Sequence, residues 1–313
     1  MYNNFIGIDI GKFEFVVSLN CSKQVSTFSN TETGIKEFIK AYEAPLADGL
    51  SVLEATGGYE LQLLLTMSDK GYALHRANTR HVKHFIRSYG NGAKTDSLDS
   101  QALSRFGKER HASLKIFEHQ SKRAIDLYGL VQRRKDLKAF EVAENNRSQA
   151  PNIGIHVQKS CATVLKCIRE ELAIIEKEIA SLIDEEVSLK AKKTCLKTIP
   201  GIGEVSANSL IALLPELGTV NRSQIASLVG LAPIPKDSGK YFGYRSVGYG
   251  RAGIKETLFM CAMAARRSNS PLKNFYERLI EAGKPKKVAL TAVMRKLIVI
   301  ANAKLKELAE KPA

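Results

Sequence analysis

The chain has 313 residues, 44% of them hydrophobic and 25% charged, a balance that fits a soluble globular protein with room for two domains. Its five cysteines contain no CxxC pair and its six histidines no ligand-spaced cluster with them, which excludes zinc-finger and disulfide frameworks. No basic-then-apolar leader and no apolar run of about 18 residues occurs, so no membrane span is expected and a reducing, cytoplasmic setting is.

In chain order, "NFIGIDI" (4–10), "FEFVVSLN" (13–20) and "QVSTFSN" (24–30) read as three strands joined by short turns. A helix is expected over 33–44, a strand at "LSVLEAT" (50–56), and a helix between the glycine turn at 57–58 and the stop at Gly71. A strand at 72–78 and helices over 79–88 and from near Thr95 to 110 complete the segment. Hairpin-connected strands followed by alternating helices and strands predict an α/β domain with a mixed sheet, an order that fits an RNase H-like (RuvC-like) domain over 1–118.

Residues 119–195 are expected to form a helical coiled-coil arm. Cys161, Leu165, Ile168, Leu172, Ile175, Ile179 and Leu182 recur at heptad spacing, and a helix over about 121–144 would pack back as an antiparallel hairpin. The seam either pairs protomers or packs on its own domain. Residues 196–313 read as a mainly α domain. It opens with "IPGIG" between two short helices, a helix-hairpin-helix pattern whose backbone N–H groups, around Gly201 and Gly203, suit phosphate. A Gly-, Lys- and Arg-rich loop with interleaved aromatics follows (230–255), then helices over about 252–268, 271–282 and 285–309.

Charge is uneven. Residues 1–118 hold 14 Lys/Arg against 13 Asp/Glu, 119–195 hold 14 against 11, and 196–313 hold 19 against 8. The last third is thus marked for a polyanion, nucleic acid rather than an anionic membrane surface, because no basic amphipathic helix stands apart from the fold.

The acids raise a different question. Asp9 sits inside a buried-looking strand, where a carboxylate is costly unless paired or metal-bound. Glu54 ends another such strand, and Asp96 and Asp99 share one helix face at i and i+3. In an RNase H-like sheet the first and fourth strands are neighbours and a late helix packs across them. The four acids would then line one dry pocket and need divalent cations, Mg²⁺ or Mn²⁺ by their oxygen-only donors. "IGIDIGK" also matches the first phosphate loop of actin-like ATPases, but the second loop and nucleotide pocket of those enzymes are missing from the sequence pattern.

With "GIDIGK", "EATGGY", "KTDSLDSQAL", "IPGIG" and "GLAPIPKDSGK" together, the chain resembles the bridge-RNA-guided recombinases of bacterial insertion sequences, DEDD transposases related to the Piv invertase. The resemblance implies a metal-binding catalytic tetrad of Asp9, Glu54, Asp96 and Asp99 and a nucleophilic serine, Ser238, with Ser246 as the alternative. It also implies double-stranded donor and target DNA, a structured noncoding guide RNA, and a dimer or tetramer. A serine nucleophile stores the phosphodiester energy in a phosphoseryl bond, which allows strands to be rejoined. Gly239 would let DNA approach. Lys236, Lys240, Tyr241, Phe242, Tyr244, Arg245 and Arg251 are the expected nucleic-acid contacts. Two rival readings differ in chemistry: a RuvC-like nuclease or resolvase that uses water, and a non-catalytic nucleic-acid-binding protein.

Overall fold

The computed structural model describes residues 2–55, 57–90, 95–117, 121–235, 237–243, 245–268 and 270–310, in two units, Met1–Ser121 and Lys122–Ala313. In the first unit, β1 (Asn4–Ile10), β2 (Glu14–Leu19) and β3 (Val25–Ser29) form an antiparallel meander. After α1 (Glu32–Ala41) and the short α2 (Glu43–Ala47), β4 (Gly49–Glu54) pairs parallel with β1. Beyond α3 (Leu61–Asp69), β5 (Ala73–Ala77) pairs parallel with β4 and completes the order β3-β2-β1-β4-β5. The single helix expected over 33–44 breaks at Tyr42, because Pro45 lacks the N–H that would continue the ladder to residue 41.

Strand alternation sorts the core into two layers. Ile6, Ile8, Ile10 and Leu53 pack against Ile35, Phe38, Leu63, Leu64 and Met67 of α1 and α3. Phe5, Leu50, Val52 and Ala77 face the other way, onto α4 (Thr79–Arg87) and α5 (Asp96–Arg110), through Val82, Phe85, Leu103 and Phe106. Helix α5 comes so close to β1 that a Cβ on Gly7 would lie 3.0 Å from the Leu103 carbonyl carbon and nearer still to Ser100 O and Ser104 N. Only glycine admits that approach. Buried Ser104 fixes the contact, donating to Phe5 O (2.8 Å) and accepting from Cys21 N (2.9 Å).

The second unit begins with an antiparallel hairpin of α6 (Lys122–Ser148) and α7 (Ile155–Asp184). Ion pairs Arg123–Glu185 (3.2 Å), Arg134–Glu176 (2.7 Å) and Arg169–Glu141 (3.0 Å) run along it in one register. Of the heptad positions, Cys161, Leu165, Leu172 and Ile179 are buried within this one chain, and Ile168, Ile175 and Leu182 are half-buried. The seam is filled by α6, so its spacing gives no argument for pairing protomers. Helices α8 (Val187–Lys197), α9 (Glu204–Leu213), α10 (Arg222–Leu228), α11 (Ile254–Ala265), α12 (Pro271–Glu281) and α13 (Lys286–Glu310) follow. Between α10 and α11 lies a small hairpin, β6 (Asp237–Ser238) and β7 (Tyr241–Phe242). One core runs from Leu127 and Ile183 through Leu210 and Leu258 to Leu305. The base of the hairpin is thus fused to the C-terminal helices, and the line expected at 195/196 falls inside α8. Among the described residues, no helix is long and apolar enough to cross a membrane.

Candidate functional site

The register that pairs Ile8 with Leu53 continues to bring Asp9 level with Glu54 at the ends of their parallel strands. By alternation both share the face of Gly7 and Val52, which is the face α5 covers. The helix runs antiparallel to β1: Gly107 lies beside Phe5 and Val52, and Ser100 and Ser104 beside Gly7. Its first turn therefore reaches the Asp9 end of the strand. Asp96 and Asp99 extend the sheet-facing stripe of Ser100, Leu103 and Gly107 by one turn. Thr95 starts the helix there, its side chain accepting from Leu98 N at 3.2 Å. Fold geometry thus sets all four acids at one pole of the unit.

The pole is not dry. Asp9, Glu54 and Asp99 are half-buried and Asp96 is exposed. Among the described residues, no three His, Cys, Asp or Glu side chains are gathered into a group that could hold a metal ion. The donor set itself fits a hard divalent cation. It offers carboxylate oxygens alone, and a part-open pole suits Mg²⁺, which retains several waters.

Two residues that the sequence reading passed over brace the loops at this pole. Asn30 donates through Nδ2 to Gly11 O (3.0 Å), just beyond β1, and to Tyr59 O (3.0 Å), beyond β4. Fully buried Glu60 accepts from Gly58 N (2.9 Å) and from Arg76 Nε (3.1 Å) and Nη2 on β5. Apart from the Gly58 N–H on Glu60, these contacts span distant sequence, so no local pattern reveals them. The repeated "EATGGYE" acids offered the only hint.

In the second unit, Ile199-Pro200-Gly201-Ile202 closes with Ile202 N on Ile199 O (3.0 Å) and Gly201 at φ +91°, as in a type II turn. A Cβ on Gly201 would press on the backbone of Cys261 and Ala265, so this glycine seats the turn on α11. Gly203 caps α9 with open space around it and no side-chain cap, which leaves the phosphate expectation with Gly203. Ser238 is exposed beside the corner of the β6–β7 hairpin, next to Gly239 at φ +55°, with Lys240 completing the turn. Ser246 is half-buried at the hairpin base, where its carbonyl accepts from Ile234 N (2.8 Å). Arg245 is exposed, 3.7 Å from Asp237 Oδ2, and Phe242 and Tyr249 project into solvent near it in sequence. Arg251, expected at nucleic acid, is instead held within the protein: its guanidinium meets Glu216 at 2.7 and 2.8 Å and Leu213 O at 2.6 Å. Lys236, Tyr244 and the Tyr241 side chain lie outside the described residues.

A mixed sheet with an acidic pole and a basic helical unit matches known proteins along most of its length. Residues 6–150 match the DEDD model of the IS110 type, described as a transposase, and residues 193–277 match the transposase IS116/IS110/IS902 family. Pilin gene-inverting proteins of Moraxella lacunata and Moraxella bovis are each 27% identical, over 98% of this chain and 97% of theirs. The insertion element IS900 uncharacterized 42 kDa protein of Mycobacterium paratuberculosis is 24% identical over 96% of this chain and 95% of its own. By class, then, this is a transposase. The chain belongs to the IS110/IS116/IS902 family, and membership implies DNA recombination.

Proposed function

We propose that the protein is an RNA-guided recombinase that exchanges double-stranded DNA through a phosphoserine bond, with its acidic pole loaded by Mg²⁺ or Mn²⁺. One observation carries the reading: Asp9 stands level with Glu54 on the face covered by α5, and Asp96 and Asp99 begin that helix at the same end. The strand order, with β1 beside β4 and a late helix across them, supports the RNase H-like assignment. Asp9, Glu54, Asp96 and Asp99 would hold the metal, which supplies charge to stabilise the attacking and leaving oxygens at a scissile phosphate. Ser238 is the nucleophile, accessible on an exposed hairpin whose Gly239 lets DNA come close. Lys236, Lys240, Tyr241 and Arg245, its neighbours in sequence, hold DNA and a structured guide RNA together with the "IPGIG" turn, chiefly through the nucleic-acid phosphates. The working form is a homo-oligomer in the cytoplasm, associated with the nucleoid, in which different protomers supply the acids and the serine.

Substituting Asp9→Asn or Asp99→Asn removes ligand charge and keeps shape. Strand exchange should fall by orders of magnitude, and the heat of Mn²⁺ binding should vanish, in protein that remains folded. Full recombination in excess chelator would contradict the metal's part.

A further inference from the structure

A cavity of about 250 Å³ opens in the second unit where the α6–α7 hairpin meets the N-terminal half of α9. Its inner wall carries Asn208, only 7% exposed, whose Oδ1 is buried with no hydrogen-bond partner among the described residues. A buried amide oxygen left unpaired costs about 1–3 kcal/mol, so a donor entering the cavity would recover a real deficit. Val131, Ile179 and Val205 line it with apolar surface.

The charges at this cavity argue against phosphate. Glu176 and Glu204 both line it; Arg134, which also lines it, already pairs with Glu176 at 2.7 Å, and Glu204 holds Lys193 (3.6 Å) and Lys197 (3.3 Å). This donor-seeking hollow sits in a unit with 33 Lys/Arg against 19 Asp/Glu, which attracts polyanions overall. Its volume lies below the roughly 300–1,000 Å³ of sites for drug-sized ligands, which leaves room for one flat ring system. A group with apolar faces, an amine at its edge and a polyanionic strand to deliver it is a nucleobase.

We propose that this cavity receives one unstacked nucleobase bearing an exocyclic amine, which donates to Asn208 Oδ1 while the strand's phosphates stay on the basic surface outside. The assignment rests on the reading that this unit binds nucleic acid. Unstacking a base costs a few kcal/mol in a duplex and least in a single strand, so loops and displaced strands are the natural donors.

The test compares short fluorescent oligonucleotides of adenine with matched oligonucleotides of purine, which lacks the amine, each in ribose and deoxyribose form, binding to the full chain. The parent should prefer the adenine probe about tenfold, the worth of one recovered hydrogen bond. The sugar series in which the preference appears identifies RNA or DNA as the source. Asn208→Leu, close in size but without the acceptor, should abolish the preference and leave the salt dependence of purine-probe binding unchanged. Val205→Phe, which fills the cavity from α9, should do the same and carries the test if Asn208→Leu melts early. No amine preference in either sugar series would overturn the proposal, and so would a preference that survives both substitutions, since stacking alone would then explain it. If no probe binds even at low salt, the nucleic-acid reading of the unit fails and the base pocket falls with it.

Discussion

Gly7→Ala is the sharpest mechanical test of how the acidic pole is assembled. A methyl there would stand 3.0 Å from the Leu103 carbonyl carbon and closer to Ser100 O and Ser104 N, all of them backbone that cannot rotate away. Carbon contacts become favourable near 3.5 Å, so α5 must withdraw from β1 by on the order of 1 Å. Overpacking of this kind costs about 1–3 kcal/mol, and at roughly 4 °C per kcal/mol the first unit should melt about 4–12 °C lower. The same withdrawal carries Asp96 and Asp99 away from Asp9 and Glu54. A shift of about 1 Å between reacting groups costs about a hundredfold, so strand exchange should fall by that much. Gly107→Ala is the control on the same helix. Its methyl would meet side chains rather than backbone, Val52 Cγ2 at 2.9 Å and Phe5 Cδ1 at 3.5 Å, so its packing cost should be smaller than that of Gly7→Ala and partly offset by about 1 kcal/mol of helix propensity. Melting by circular dichroism and an in vitro recombination assay read both variants. If Gly7→Ala melts and recombines like the parent, α5 is not seated on β1 at this point and the geometry of the pole is wrong.

Three further outcomes are expected. Arg76→Ala takes a counter-charge and two hydrogen bonds from the buried Glu60 carboxylate, which keeps its bond from Gly58 N, and chemical denaturation should show a loss of about 2–3 kcal/mol, less than for a fully buried pair because Arg76 is part exposed. Arg251→Ala should destabilise the second unit by about 1–2 kcal/mol and leave the salt slope of DNA binding unchanged; a slope smaller by about one with unaltered stability would mean that Arg251 meets phosphate after all. Burial lowers the His75 pKa, outweighing its bond to Lys115 O, so the folded state holds the ring neutral. Its contribution is complete above the unfolded value of about 6.5 and is lost as pH falls through the lowered folded value; first-unit stability should therefore drop in mild acid, and His75→Gln should flatten that drop.

The elements that position the acids were legible because local rules agree there. Alternation marked β1 and β4, and Thr95 announced the start of α5. Burial was misjudged because a strand's apolar character says nothing of its last rung, where Asp9 and Glu54 are half-open. Heptad spacing on α7 showed a seam, and the helix over about 121–144 an antiparallel partner, but not whether the seam also pairs protomers; the ion pairs to α6 show the chain filling it itself. Helix α10 was readable in principle, since Asn221 and Gln224 form a capping box, but seven residues give too short a period to notice. For Arg251, composition marks a basic loop without revealing its partner Glu216, 35 residues away. The bracing by Asn30, and by Glu60 through Arg76, depends on tertiary neighbours.

The reading of the protein as a recombinase meets its most direct test in a suicide substrate, a donor DNA nicked beside the exchange point so that religation fails. A serine that takes the phosphodiester must leave a covalent protein–DNA adduct, visible as a denaturation-resistant band. The parent should give that band, Ser246→Ala should keep it, and Ser238→Ala should lose it while still binding DNA. Cleavage by the parent with no adduct would make water the nucleophile and the protein a metal-dependent nuclease.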